Sequence, residues 1–106
     1  IKQSPRKMKR FRVTMDNGKE YDFGLLGGST YIDHHDKAKR EAYRKRHLAN
    51  ATEKQLITNL VPSASLFAYR LLWGDSTSLQ KNIDDLNREW RYKHGSSGGR
   101  GIRISR

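Results

Sequence analysis

The stretch Ser63–Trp90 limits the possible folds most. Leu66, Phe67, Tyr69, Leu71, Leu72 and Trp73 form the densest apolar cluster in the chain, and Gly74 interrupts it. Beyond the glycine, Leu79, Ile83, Leu86 and Trp90 recur at i, i+4, i+7 and i+11, one face of a helix, with Asp75 or Ser76 as its expected cap. Two helices joined by so short a connection must fold back or cross, so their apolar faces meet. This helical hairpin is the expected core.

Phe11–Met15 alternates in the period of a strand, Asp16-Asn17-Gly18-Lys19 is a hairpin turn, and Glu20–Phe23 is the return strand. Phe11, Val13 and Met15 are expected on one face, opposite Tyr21 and Phe23. Two strands are marginal in water, so the hairpin needs the helices as a support. Gly24–Ser29 reads as a structural loop. It lacks the Gly-Lys-Ser/Thr ending of a phosphate-binding loop and the spacing of a dinucleotide motif.

A basic helix is expected from Asp36 to Asn50, capped by Asp33 or Asp36, with Ala38, Ala42, Tyr43 and His47 facing inward. Thr52-Glu53-Lys54-Gln55 matches a capping box for a short helix over Glu53–Leu60, ended by Pro62. The predicted architecture is a small single α+β domain: a β-hairpin, a basic helix, then the helical hairpin, with extended basic arms at both ends. Residues 1–10 form the N-terminal arm, 11–92 the folded domain and 93–106 a Gly/Ser-rich C-terminal arm. Ile102–Arg106 within that arm alternates like a short strand.

Charge supports this division. The net charge is +11 over 106 residues; each end supplies +5, leaving +1 for Phe11–Trp90. Cationic ends seek polyanions or acidic protein surfaces. The apolar share is 34%, low for a globular domain, so a partner surface is expected to supply part of the burial. There is no cysteine, which excludes disulfides and thiolate metal sites. No apolar run reaches the roughly 20 residues that span a bilayer, and the basic opening does not read as a signal peptide.

Asp33, His34, His35, Asp36 and His47 are the polar cluster that could bind a metal. Adjacent histidines do not converge easily on one ion, so capping and packing are the expected roles, with no cofactor and no small-molecule substrate. The serines lie in caps and linkers rather than at a nucleophile elbow, and no catalytic residue is assigned. Tyr31 and Tyr92 are the aromatics expected to be free, too few for a base-stacking platform. Lys2, Arg6, Lys7, Lys9, Arg10, Lys37, Arg40, Arg44, Arg100, Arg103 and Arg106 are the candidate contacts to a polyanionic partner. A helix surface made almost entirely of Lys and Arg suits phosphate and reads sequence poorly.

Several segments together carry a resemblance: Asp22-Phe23-Gly24; Tyr31, His35-Asp36, Arg40, Tyr43 and Arg46-His47; Arg70-Leu71-Leu72-Trp73-Gly74; and Ser78-Leu79 with Ile83-Asp84-Asp85-Leu86. Over about Phe11–Trp90 the chain resembles a family of small basic proteins of large icosahedral double-stranded DNA viruses, of the chlorovirus and giant-virus type. The family has a lysine between the histidine and aspartate that are adjacent here as His35 and Asp36. The resemblance implies a virus-encoded protein, and because some relatives are virion components the leading expectation is a non-enzymatic virion protein, a minor capsid or cement component that meets capsid proteins. It further implies a location in the virion, and in host cytoplasm or nucleus during assembly. The rival expectation is a non-specific DNA-binding protein packaged with the genome.

Overall fold

A computed structural model describes residues 2–15 and 18–94 of the chain. Three strands, β1 (Lys2–Gln3), β2 (Lys9–Thr14) and β3 (Glu20–Leu25), form an antiparallel meander in the order β1-β2-β3. Helices α1 (Tyr31–His34), α2 (Lys37–Leu48) and α3 (Ala51–Thr58) follow. Next, α4 (Ala64–Phe67) runs into a π-helical turn over Ala68–Leu72, and α5 (Leu79–His94) closes the fold. The architecture is α+β, as predicted.

The hairpin register pairs Phe11 with Phe23 and Val13 with Tyr21, so the apolar positions of both strands share the expected face. Phe23 and Val13 are fully buried. Phe23 and Tyr21 rest on Phe67, with ring centroids 5.9 and 5.7 Å apart. Leu66, Phe67, Leu71, Leu72, Ile83 and Leu86 complete the core, which is the predicted helical hairpin meeting the sheet. The strands run further than expected, from Lys9 on one side and to Leu25 on the other. Asp16 and Asn17 of the turn lie outside the described residues, but Met15 N–H donates to the Lys19 carbonyl at 2.8 Å and closes the hairpin.

The expected N-terminal arm is not an arm. Lys2 and Gln3 pair with Arg12 and Phe11 as an edge strand, and Lys9 and Arg10 lie inside β2. A buried anchor explains it: the Ser4 hydroxyl donates to Asp22 at 2.7 Å while Ser4 N–H donates to the Arg10 carbonyl. Composition resembling a disordered segment was outweighed by one satisfied polar contact and a ladder to join. The C-terminal linker and the expected strand at Ile102–Arg106 lie outside the described residues.

Caps fix the helix boundaries. Thr30 N–H and hydroxyl both donate to Asp33 at 2.8 Å, which starts α1. Asp36 accepts from Ala38 and Lys39 N–H and starts α2. Asn50, not Thr52, caps the next helix by accepting from Glu53 N–H at 3.0 Å, so α3 begins at Ala51, two residues before the predicted Glu53. Ser63, directly after Pro62, accepts from Leu66 N–H and starts α4. Ser78 caps α5 through Lys81 N–H, whereas Asp75 and Ser76 stay in the preceding turn. Gly74 is buried there: a Cβ at this position would lie 2.3 Å from the Arg70 carbonyl oxygen and 2.8 Å from the Asn82 side chain. Asn82 reaches back from α5, donating to the Leu71 and Ser76 carbonyls and accepting from Ser76 N–H.

Candidate polyanion-binding surface

Whether a cation is available to a partner depends on what it already holds. Arg10 holds Asp33, with both terminal nitrogens donating at 2.7 Å, and its guanidinium lies 4.8 Å from the Phe11 ring centre. This bidentate bond raises the Arg10 pKa and keeps the Asp33 carboxyl well below the usual carboxylate range. Arg12 does the same for Asp22, donating from Nε at 2.9 Å and from Nη2 at 3.1 Å, and the Asp22 pKa falls accordingly.

On α2 the arginines divide in a way the sequence reading missed. Arg40, Tyr43, Arg44, His47 and Leu48 face inward at helical spacing, while Ala38 and Ala42, expected inside, are exposed. Arg40 lies over the Tyr31 ring at 4.7 Å and donates to the Asp75 carbonyl. Arg44 donates from Nε to the Trp73 carbonyl and from Nη2 to Asp75 Oδ1, both at 3.0 Å, which lowers the Asp75 pKa. The phase is set by Tyr43, which stacks on Trp73 with centroids 4.3 Å apart and planes only 6° off parallel. Burial pushes the Tyr43 hydroxyl pKa up to about 12. Two predicted partner contacts, Arg40 and Arg44, therefore fasten α2 to the turn before α5. Tyr31, expected to be free, is buried; Tyr92 is exposed as expected.

The outward face of α2 then consists of Lys37, Lys39, Lys45 and Arg46 around Ala38 and Ala42. Among the described residues these four cations have no acidic partner. Glu41, the one acid on the helix, is bonded by Arg40 Nε at 3.1 Å. Of this group only Lys37 is among the partner contacts expected from the sequence. The usable signal for the others was the helical phase, once the Asp36 cap and the Tyr43 contact are known. A second cationic group lies on the β1–β2 turn and the start of β2: Lys7 is exposed, Lys9 at the first position of β2 is half-buried, and Arg6 is mostly exposed with Nε 3.9 Å from Asp22. Lys2 is placed by its backbone in β1. Arg100, Arg103 and Arg106 lie outside the described residues.

The candidate metal cluster is dispersed into separate tasks. His34 Nδ1 accepts from Asp36 N–H at 2.9 Å, His35 is the left-handed residue that ends α1, Asp36 caps α2, and His47 Nδ1 lies 3.0 Å from Glu53. Among the described residues, no three His, Asp or Glu side chains are grouped to hold an ion. No described helix is long and apolar enough to cross a membrane. Chemically the surface offers point charges on a rigid helix. That fits phosphate or carboxylate groups and supplies no base-edge code.

The pattern of a family of unknown function, DUF5754, matches residues 1–47. The matched segment holds the three described strands, the Arg10–Asp33 bond and nearly all of α2. No curated protein and no solved structure matches the chain.

Proposed function

We propose that this chain is a non-enzymatic structural protein of a virus particle, a minor capsid or cement component that docks on acidic surfaces of capsid proteins. The observation that carries the docking mode is the outward face of α2: Lys37, Lys39, Lys45 and Arg46 are exposed without an acidic partner among the described residues, Arg46 lying 6.0 Å over the Tyr43 ring, while the nearby acids are already bonded. The viral assignment rests on the sequence resemblance described above. The docking mode differs from that first expected at the N-terminus, because Lys2, Lys9 and Arg10 lie in strands and Arg6 and Lys7 in the turn between them, so they meet a partner as part of the sheet rather than as a free arm. Rigid presentation favours binding, since little ordering entropy is lost on contact. Two exposed alanines on the same face allow a flat partner to approach the helix closely.

The test uses purified particles. The chain is expected to stay with empty, washed shells at fixed stoichiometry and to be lost when Lys37, Lys39, Lys45 and Arg46 are all changed to Glu. Departure with the DNA, and elution at moderate salt, would instead establish the genome-packaging alternative. Unchanged shell incorporation of the fourfold variant would overturn the proposal.

A further inference from the structure

Three large apolar side chains lie exposed together at one end of the sheet: Met8 at 55%, Leu25 at 61% and Leu26 at 50% of full exposure. Two neighbouring connections hold them. Lys9 pairs with Leu25 at the last rung of the ladder, and Leu26 N–H then donates to the Met8 carbonyl at 2.9 Å. Gly28 N–H donates to the Leu25 carbonyl at 3.0 Å, which fixes the second turn. The tip is therefore ordered by backbone bonds, while its side chains have little to pack on.

The backbone adds a second observation. Met8 adopts φ +72°, a left-handed conformation that costs a residue with a Cβ. At Gly27, with φ +81°, the chain places glycine, as this geometry favours. A methionine kept in a strained position and held out in solvent violates two local preferences at once, and such violations gather where a side chain has a use.

We infer that this tip is a docking point for an anionic lipid bilayer surface. Its electrostatics fit such a surface. Residues 2–15 contain six cations and no acid, and residues 23–32 carry no charge; with Arg10 and Arg12 bonded to Asp33 and Asp22, Arg6, Lys7 and Lys9 are the cations beside the tip. Lys7 and Lys9 flank Met8 directly, and Arg6 is two positions away. Asp33, at the end of that neutral run, is already bonded by Arg10. The shape fits as well: turn tips are convex and need no matching pocket in a soft interface. Apolar side chains enter the headgroup boundary while nearby lysines and arginines are drawn to acidic headgroups. The inference is independent of the α2 face and of the virion reading.

Vesicle co-sedimentation of the full chain tests it. Vesicles of phosphatidylcholine with about 30 mol% phosphatidylserine are expected to bind the chain, and pure phosphatidylcholine vesicles to bind it far more weakly. The variant carrying Met8→Asn, Leu25→Ser and Leu26→Ser is expected to lose about tenfold or more of that binding. Its thermal midpoint is expected to stay close to that of the unaltered chain, because asparagine tolerates the left-handed backbone and the leucines are exposed. The single change Leu26→Ser gives the same reading, at smaller size, if the triple variant folds poorly. Changing Lys37, Lys39, Lys45 and Arg46 to Gln is expected to leave most of the vesicle binding in place. Undiminished binding by the tip variants would show that charge alone suffices and overturn the inference. Failure of the unaltered chain to bind acidic vesicles, or equal binding to neutral ones, would overturn it too. The former result would point to a protein partner with an apolar, acidic socket.

Discussion

Arg10 and Asp33 join the middle strand of the sheet to the first helix through two parallel hydrogen bonds of 2.7 Å. The same carboxylate accepts from the Thr30 N–H and hydroxyl, so a single side chain both caps α1 and ties it to β2. A cation expected to belong to a loose arm thus stabilises the junction between sheet and helices.

This junction makes stability depend on acid. The Arg10 bond depresses the folded-state pKa of Asp33, and Asp22 and Asp75 are lowered by Arg12 and Arg44. A depressed carboxylate contributes stability that is complete above its unfolded value, about 4, and is lost as the pH falls below it. Asp33→Asn is expected to lower stability at pH 7 by on the order of 1 kcal/mol. That deficit should shrink steadily as the pH drops below about 4. Thermal melts of both chains across this range provide the measurement, and a deficit constant with pH would refute the electrostatic account.

Gly74→Ala is expected to be among the most damaging single changes. The added carbon would meet the Arg70 carbonyl oxygen at 2.3 Å and the Asn82 side chain at 2.8 Å. Overpacking of this kind costs about 1–3 kcal/mol, with more where backbone must move. Asn82→Ala is expected to cost about 1–3 kcal/mol by stranding the Leu71 and Ser76 carbonyls. Urea unfolding of the two single variants and the double variant should show strong non-additivity, because both act on the same turn.

Trp73 holds α2 through its ring and its carbonyl, stacking on Tyr43 and accepting from Arg44. Trp73→Ala is expected to cost about 3 kcal/mol. The loss should be uneven. Amide exchange is expected to accelerate throughout α2 more than in β3, which keeps its packing on Phe67, and in β2, which is paired with it.

Neighbouring cations on α2 should separate by role. Arg44→Gln removes the bonds to Trp73 and Asp75 and is expected to destabilise the fold by about 1–2 kcal/mol. Lys45→Gln, on the outward face, is expected to leave the stability within about half a kcal/mol of the parent. It should also reduce the slope of log affinity for a polyanion such as heparin against log salt. Thermal melts and a salt titration on both variants provide the comparison.

Much of the fold was legible in local pattern. Strand alternation and the i, i+4, i+7, i+11 stripe of α5 are short-range regularities, and each appears in the structure at nearly the predicted place; Asp16 and Asn17 of the expected turn lie outside the described residues. The division of the cations was not legible. Lys and Arg on one helix look alike in sequence, and which of them faces inward depends on a phase set by Tyr43 meeting Trp73, thirty residues away. The same limit applied to the first ten residues, whose composition carries no trace of Asp22.

By itself, the sequence determined an α+β domain with its apolar mass in Ser63–Trp90 and a surplus of positive charge, because periodicity and charge are properties of neighbouring residues. Only the tertiary structure decided that Arg10, Arg12, Arg40 and Arg44 bind inside the fold while Lys37, Lys39, Lys45 and Arg46 face outward. The reason is that such hydrogen bonds and ion pairs require two groups to meet in space, and these partners lie 10 to 35 residues apart in the chain.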